Sequence, residues 1–393
     1  MPAPPVPALI LPILVSATAL GLLASAIYVP SIPDIARELA VPVGQVQLTL
    51  TTFLIAFGAA TLFVGALSDR FGRRGVLIAG NGLCAAASFA CALAWSNDLL
   101  LVGRAAQAIG ACAGMVVARA VIRDVYDRDG TARAMAVLAM AATLAPVLGP
   151  ILGGYVHVWL GWRANFIIVG GLAVATMALT AWLLPETNRH LQDQVGLLRG
   201  LFISTAALMR MRRFLAYALA AAAGSISFYS FIAAVPVLLI DRFGVTPEVI
   251  GIYIGTPPLG FLTGSFVSSR LSARVGLDRL ILCGGAGHVL CGSLLIGFAQ
   301  AGVSESWAVI GPLLIMGFSN GLIMSNAYAG GVSVQPHLAG AASGLANFLQ
   351  MLAAGLSAAA FAAVTLETAL PLGVAITGAG LIILVGFSAL ARD

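Results

Sequence analysis

Gly65-Ala66-Leu67-Ser68-Asp69-Arg70-Phe71-Gly72-Arg73-Arg74 stands between two uncharged stretches: residues 39–68 and 75–97 contain no Asp, Glu, Lys or Arg. A helix needs roughly 20 apolar residues to cross the hydrocarbon core of a bilayer. A short basic turn between two such stretches therefore reads as a tight loop joining two membrane-spanning helices. Gly65 and Gly72 allow backbones to approach and turn sharply. Arg70, Arg73 and Arg74 keep the loop on the cytoplasmic side by the positive-inside rule. Asp69 is placed to pair with a cation or to cap a helix N-terminus.

Composition supports the same reading over the whole chain. The hydrophobic fraction is 60%, the charged fraction 9% and the mean hydropathy +1.02. Such a surface requires lipid rather than water as its solvent. All twenty basic residues are arginine. A chain without lysine cannot be a P-loop ATPase, whose lysine contacts the nucleotide phosphates, so transport would run on a gradient or on a partner subunit. The five cysteines, Cys84, Cys91, Cys112, Cys283 and Cys291, lie in apolar stretches and form no C-x-x-C. They read as buried, inert thiols rather than as a disulfide or metal site. Ala24-Ser25-Ala26 has the small-residue pattern of a signal-peptidase site, but residues 1–33 carry no basic n-region, so this segment reads as a retained first helix.

Charged or turn-rich breaks divide the chain into about twelve spans, near 8–30, 46–67, 75–95, 99–121, 134–157, 163–184, 214–240, 248–269, 279–299, 307–329, 338–362 and 369–390. The stretch 306–366 lacks any charge and is split at Ser333-Val334-Gln335-Pro336-His337, where proline stops a helix. With both termini cytoplasmic, sixteen arginines fall in inner loops and the tail, against Arg37, Arg163 and Arg242 outside. That asymmetry sets the orientation. The basic connection 185–213, with an amphipathic segment near Leu197–Met211, separates an N-terminal bundle (1–184) from a C-terminal one (214–393). Leu67-Ser68-x-Arg70-x-Gly72 recurs 204 residues later as Leu271-Ser272-x-Arg274-x-Gly276. Equivalent loops in two halves suit a parallel duplication with a substrate site between the halves.

The spacing G-x-x-x-D-R-x-G-R-R resembles the signature loop between the second and third helices of the major facilitator superfamily of transporters. In the fourth span, Gly103-Arg104-Ala105-Ala106-Gln107-Ala108-Ile109-Gly110 puts an arginine inside the hydrocarbon, where it must face water or the bundle interior. Its R-x-x-Q-x-x-G spacing resembles the superfamily's fourth-helix motif, which implies a part for Arg104 in proton coupling. The plainer reading is that Arg104 braces carbonyls of the first helix. In the fifth span Pro146, Gly149, Pro150, Gly153 and Gly154 permit close helix packing. G-P-x-x-G-G resembles the motif of the exporter branch. Tyr28-Val29-Pro30, Arg119-x-x-x-Arg123-Asp124, Gly161-Trp162-Arg163 and Leu184-Pro185-Glu186-Thr187 extend the likeness to the bicyclomycin- and chloramphenicol-resistance branch of twelve-helix drug–proton antiporters.

The resemblance implies an all-α membrane protein of twelve helices in two pseudo-symmetric six-helix bundles, a monomer of the bacterial inner membrane. It implies alternating-access export of small amphipathic compounds, amphenicol- or bicyclomycin-like, in exchange for protons. The expected partners are substrate, protons and lipid, with no nucleic acid, cofactor or metal. Asp69, with Gly65, Arg70, Gly72, Arg73, Arg74 and Asp124, would form a conformational latch: Asp69 pairs with a helix end of the other half, and Arg73 with Asp124. An exporter or facilitator of an endogenous, even anionic, metabolite is the alternative. A membrane-embedded enzyme has little support, since H-E-x-x-H, G-x-S-x-G and acidic metal clusters are absent and His157, His190, His288 and His337 are scattered.

The chain departs from this branch in the first helix, where an acid commonly lies two residues before the tyrosine; here that residue is Ala26. Asp34, Glu38, Asp98, Asp241 and Glu367 all lie toward outer ends. Three accounts follow: Asp34 acts with Arg104, His288 titrates mid-span, or transport is uncoupled and Arg104 meets a charged substrate. The cavity is expected to draw on Tyr28, Phe53, Phe57, Arg104 and Gln107. From the second half it would take Phe228, Tyr229, Phe231, Asn320, Asn326, Tyr328, Asn347 and Gln350. Some of these amides would instead join helices.

Overall fold

In lipid every backbone polar group must be bonded internally, so apolar runs of this length close into helices. The computed structural model describes residues 9–188, 197–245, 247–303, 305–335, 338–364 and 366–391, and no strand occurs among them. The chain forms two compact units, residues 1–41 with 52–197 and residues 42–51 with 198–393.

The first unit opens with α1 (Ile10–Ala26), a 3₁₀ turn (Val29–Ser31) and α2 (Ile32–Glu38). The expected first span is thus broken where Pro30 and Pro33 fall, each in the first turn of its helix, where the missing N–H costs nothing. There follow α3 (Val43–Phe71), α4 (Arg73–Ala92), α5 (Asn97–Val125), α6 (Arg128–Leu160) and α7 (Trp162–Leu183). The Ser96 hydroxyl accepts the Leu99 N–H at the start of α5, and the Asp127 carboxylate accepts the Gly130 N–H at the start of α6.

The second unit contains α8 (Leu197–Met209), α9 (Arg212–Phe243), α10 (Pro247–Val275), α11 (Leu277–Gln300), α12 (Ser306–Ser333), α13 (Ala339–Ala362) and α14 (Leu370–Leu381). A π-helical turn (Ile382–Phe387) and α15 (Ser388–Ala391) complete it. The segment expected to lie along the inner leaflet is α8; Leu208 at its end packs with Phe214, Leu345 and Ala346. The uncharged stretch divides as expected between α12 and α13, although Pro336 and His337 lie outside the described residues. So do Arg189, His190 and Arg392.

Among the described residues, ten segments are long and apolar enough to cross a membrane. The two remaining expected spans, 134–157 and 248–269, fall within α6 and α10. The decapeptide at 65–74 is not an extended loop. Helix continues to Phe71 and resumes at Arg73, and Gly72 alone breaks it with φ +88°. Gly276 makes the same break between α10 and α11 with φ +89°. A side chain would be strained at either position.

Candidate functional site

The break at Gly72 brings three acids to one arginine. Arg73 Nη1 lies 2.5 Å from the Asp69 carboxylate one turn back, and Arg73 Nε lies 3.2 Å from Asp124 Oδ2 at the end of α5. Arg73 Nη1 also donates to Ser68 Oγ at 2.6 Å. The third acid is Glu186, whose Oε1 and Oε2 accept the backbone N–H groups of Arg73 (2.9 Å) and Arg74 (3.2 Å). A carboxylate on the first N–H groups of a helix is favoured by hydrogen bonding and by the dipole together. A Cβ at Gly72 would collide with it. Arg74 Nη2 donates to the Ala181 carbonyl at 2.5 Å, and Asn188 Nδ2 to the Asp69 carbonyl at 2.8 Å. Arg70 lies over its neighbour Phe71, and Gly65 faces Val116 on α5 at ordinary contact distance. The expected pairing of Arg73 with Asp124 is present. Asp69 pairs within its own half. Sequence reasoning noted the Pro185-Glu186-Thr187 run but gave Glu186 no role; its position just past a span, opposite a basic helix start, was the available signal.

Deeper in this unit Arg104 is wholly buried. Its Nη1 donates to the Ala24 carbonyl of α1 (2.8 Å) and to Gln107 Oε1 (2.5 Å). Gln107 in turn donates to Ser88 Oγ on α4 at 2.8 Å. The guanidinium lies 4.3 Å from the ring centroids of both Tyr28 and Phe53, and 5.8 Å from that of Phe166. Each desolvated cation–π contact stabilises by up to about 2 kcal/mol. Such contacts offset part of the cost of burying a charge that has no carboxylate partner among the described residues. Arg104 Nε and Nη2 have no hydrogen-bond partner among the described residues. Bracing of the first helix, the plainer of the two readings, is present. Phe57 stacks on Phe53 at 5.9 Å.

The exporter motif lies on α6 against the same first helix. A Cβ at Gly149 would lie 3.1 Å from that of Ala26, and one at Gly153 would collide with the Ile27 carbonyl. Pro150 and Gly154 are buried beside them; the side chain of Pro146 lies outside the described ones. Ala26, the residue that stands where the branch commonly has an acid, is therefore packed against a glycine of α6.

At the other end of this unit Asp34 is bonded to both Arg37 and His157 Nε2. The His157 side chain is 10% exposed, and its Nδ1 has no partner among the described residues. Glu38 accepts from the Trp162 indole at 2.6 Å and pairs with Arg163. His157 was not among the expected site residues, because nothing in its local sequence links it to an acid 123 positions earlier.

In the second unit, Phe228 makes ring contacts with Tyr229 (5.4 Å) and Phe231 (5.9 Å) on α9. Asn326 Nδ2 donates to Ser268 Oγ on α10 at 2.7 Å, which joins α12 to α10. Tyr328 bonds Gln350, joining α12 to α13. Asn320 and Asn347 are buried, and Asn320 Oδ1 has no partner among the described residues. His288 is buried mid-helix; its Nδ1 faces the Gly284 carbonyl at 3.1 Å, and Nε2 has no partner among the described residues. The side chain of Asp241 lies outside the described ones. No group of three or more His, Cys, Asp or Glu suited to a metal occurs among the described residues.

Paired helical bundles with a buried arginine and a charge-clustered helix break define a polytopic membrane protein of the transporter class. The chain matches the Major Facilitator Superfamily over residues 14–358 and belongs to that family. It is 32% identical to a chloramphenicol resistance protein of Pseudomonas aeruginosa over 80% of this chain and 74% of that protein. It is 29% identical to multidrug resistance protein D of Escherichia coli over 94% and 92%. It is 27% identical to a bicyclomycin resistance protein homologue of Haemophilus influenzae over 88% and 86%. These relatives are those of the branch that the motifs resemble. A bacterial homologue of the human lysosomal transporter Spinster shares the fold, with a TM-score of 0.71 over 97% of this chain and 95% of that one at 17% identity. The chain is a multi-pass membrane transporter, not an enzyme.

Proposed function

We propose that the protein exports small amphipathic compounds, amphenicol- and bicyclomycin-like drugs among them, across a bacterial inner membrane in exchange for protons. It works as a monomer with both termini cytoplasmic, and its halves, joined through 185–213, alternate access to a central site. The observation that carries direction is the packing of Gly149 and Gly153 on Ala26 and Ile27. It seats the exporter motif of α6 on the first helix, and relatives known as drug resistance proteins agree with export. Asp69, Arg73 and Asp124 form the latch. In one access state Asp69 exchanges its Arg73 contact for a helix end of the other half, biasing the equilibrium by a few kcal/mol.

Proton exchange falls to Asp34, held by His157 and Arg37, with Arg104 as the buried cation to which it would couple. An ionisable pair at a span end is a proton-relay arrangement. His288 is the second candidate. Tyr28, Phe53 and Gln107 surround Arg104, Phe57 stacks on Phe53, and the four would contribute the apolar wall and polar edge of the cavity. Phe228, Tyr229, Phe231, Asn326, Tyr328, Asn347 and Gln350 would contribute the other wall.

Substrate-induced proton release from the purified protein tests the coupling. Release is expected in wild type and lost in Asp34→Asn; absence in wild type refutes proton exchange, and unchanged release in Asp34→Asn refutes the carrier. The two unpartnered nitrogens of Arg104 favour a second reading, export of an anionic endogenous metabolite. Drug susceptibility of an efflux-deficient host expressing the chain separates the two.

A further inference from the structure

The internal repeat gives each half the same helix break, and the two halves complete it differently. Gly72 (φ 88°, ψ 150°) and Gly276 (φ 89°, ψ 152°) have nearly identical backbones, each immediately before a helix. In the first half that helix start holds an anion, because both oxygens of Glu186 accept its N–H groups. In the second half no side chain among the described residues caps α11, and a Cβ at Gly276 would meet nothing within 4 Å. The space is instead part of a cavity of about 900 Å³.

The walls of that cavity are basic. Arg213, Arg274 and Arg279 line it, with Asp278 as its one acid. Asp278 is already engaged, accepting from the Tyr217 hydroxyl at 2.7 Å and pairing with Arg213 at 3.5 Å. Among the described residues neither Arg274 nor Arg279 has an ion-pair partner. The π-helical turn supports the far wall, where Phe387 packs edge-on against Tyr217 at 5.6 Å. Beside the Arg213–Asp278 pair, Arg274, Arg279 and a helix N-terminus leave a site with excess positive charge and donors. That combination binds phosphate oxygens.

We infer that this cavity of the second half binds a phosphate group, that of an anionic phospholipid headgroup, where the first half uses Glu186. Basic pockets at the cytoplasmic ends of membrane helices recruit such lipids. The assignment to the cytoplasmic leaflet rests on the orientation proposed above; binding in detergent tests the site whichever way it faces.

The test is native mass spectrometry of the full-length protein in detergent, titrated separately with phosphatidylglycerol, phosphatidylcholine and inorganic phosphate. Wild type is expected to retain phosphatidylglycerol at least about tenfold more tightly than phosphatidylcholine, and Arg274→Gln/Arg279→Gln to lose about tenfold in that affinity. The charge-matched control Arg119→Gln/Arg123→Gln in the first half should bind as wild type. Size-exclusion profiles establish that each variant is folded. Displacement of the lipid by millimolar inorganic phosphate identifies a site for the phosphate group itself, and no displacement identifies the headgroup. Equal retention of the two lipids, or equal affinity in wild type and the double variant, overturns the proposal.

Discussion

Glu186 and Arg73 are 113 residues apart, and the carboxylate of the first accepts the backbone N–H of the second at 2.9 Å. The contact ties the end of α7 to the start of α4, directly beside the Asp69–Arg73–Asp124 cluster. A peptide group, rather than a side chain, receives the charge, so α4 is anchored while the Arg73 guanidinium stays available to two other acids. The anchor and the latch are therefore separable.

Glu186→Ala removes the anchor alone. Loss of a helix cap costs about 1 kcal/mol, so the detergent-solubilised variant should melt a few degrees lower while Arg73→Gln leaves this term untouched. An unchanged melting temperature would show that the cap contributes nothing.

Asp69→Asn keeps the shape of the side chain and removes its charge. The variant should insert and reach wild-type abundance, with efflux reduced about five- to thirtyfold for a lost bias of about one to two kcal/mol. Near-normal efflux of a drug from whole cells would contradict the latch.

Arg104→Lys tests geometry at constant charge. A lysine cannot reproduce the planar fork that meets Ala24 and Gln107 while lying over Tyr28 and Phe53. Transport should fall severely, and Arg104→Ala should also lose about 1–3 kcal/mol of stability because Gln107 Oε1 and the Ala24 carbonyl lose their donor. Full transport by the lysine variant would reduce Arg104 to a point charge.

The glycines of the two motifs should respond unequally. Gly153→Ala drives a methyl group into the Ile27 carbonyl and should cost about 1–3 kcal/mol or abolish accumulation. Gly65→Ala meets only Val116 Cγ1 at 3.7 Å, so its folded yield should match wild type. Equal yields of the two variants would mean that the α1–α6 contact is looser than described.

Asp34→Asn and His157→Ala break one bond from either side. If the pair acts as a unit, each single variant and the double variant should lose the same fraction of pH-driven uptake in proteoliposomes. Additive losses would separate the two residues.

Most of the architecture was legible because hydrocarbon imposes so few options: charge-free runs of sufficient length must be helices, and arginines mark their ends. The motif around Asp69 was legible in its fixed spacing, and the pairing of Arg73 with Asp124, 51 positions apart, was legible only through the resemblance that motif carries. The unforeseen parts depend on tertiary placement. Nothing near His157 predicts that it meets Asp34. The role of Glu186 requires knowing that α7 returns to the start of α4, and the π-helical turn at Ile382–Phe387 has no proline to announce it. Asn326 and Gln350 are spent in part on joining helices, which residue type alone could not distinguish from lining a cavity.

The near-contact of Ala26 with Gly149 also limits what position 26 can hold. An aspartate introduced there would arrive against a neighbouring helix whose glycines leave room for little more than a methyl group. An acid would fit there only if α6 shifted outward, at the expense of the packing of Gly149 and Gly153 on the first helix. Any proton carrier in this packing therefore has to stand at another position.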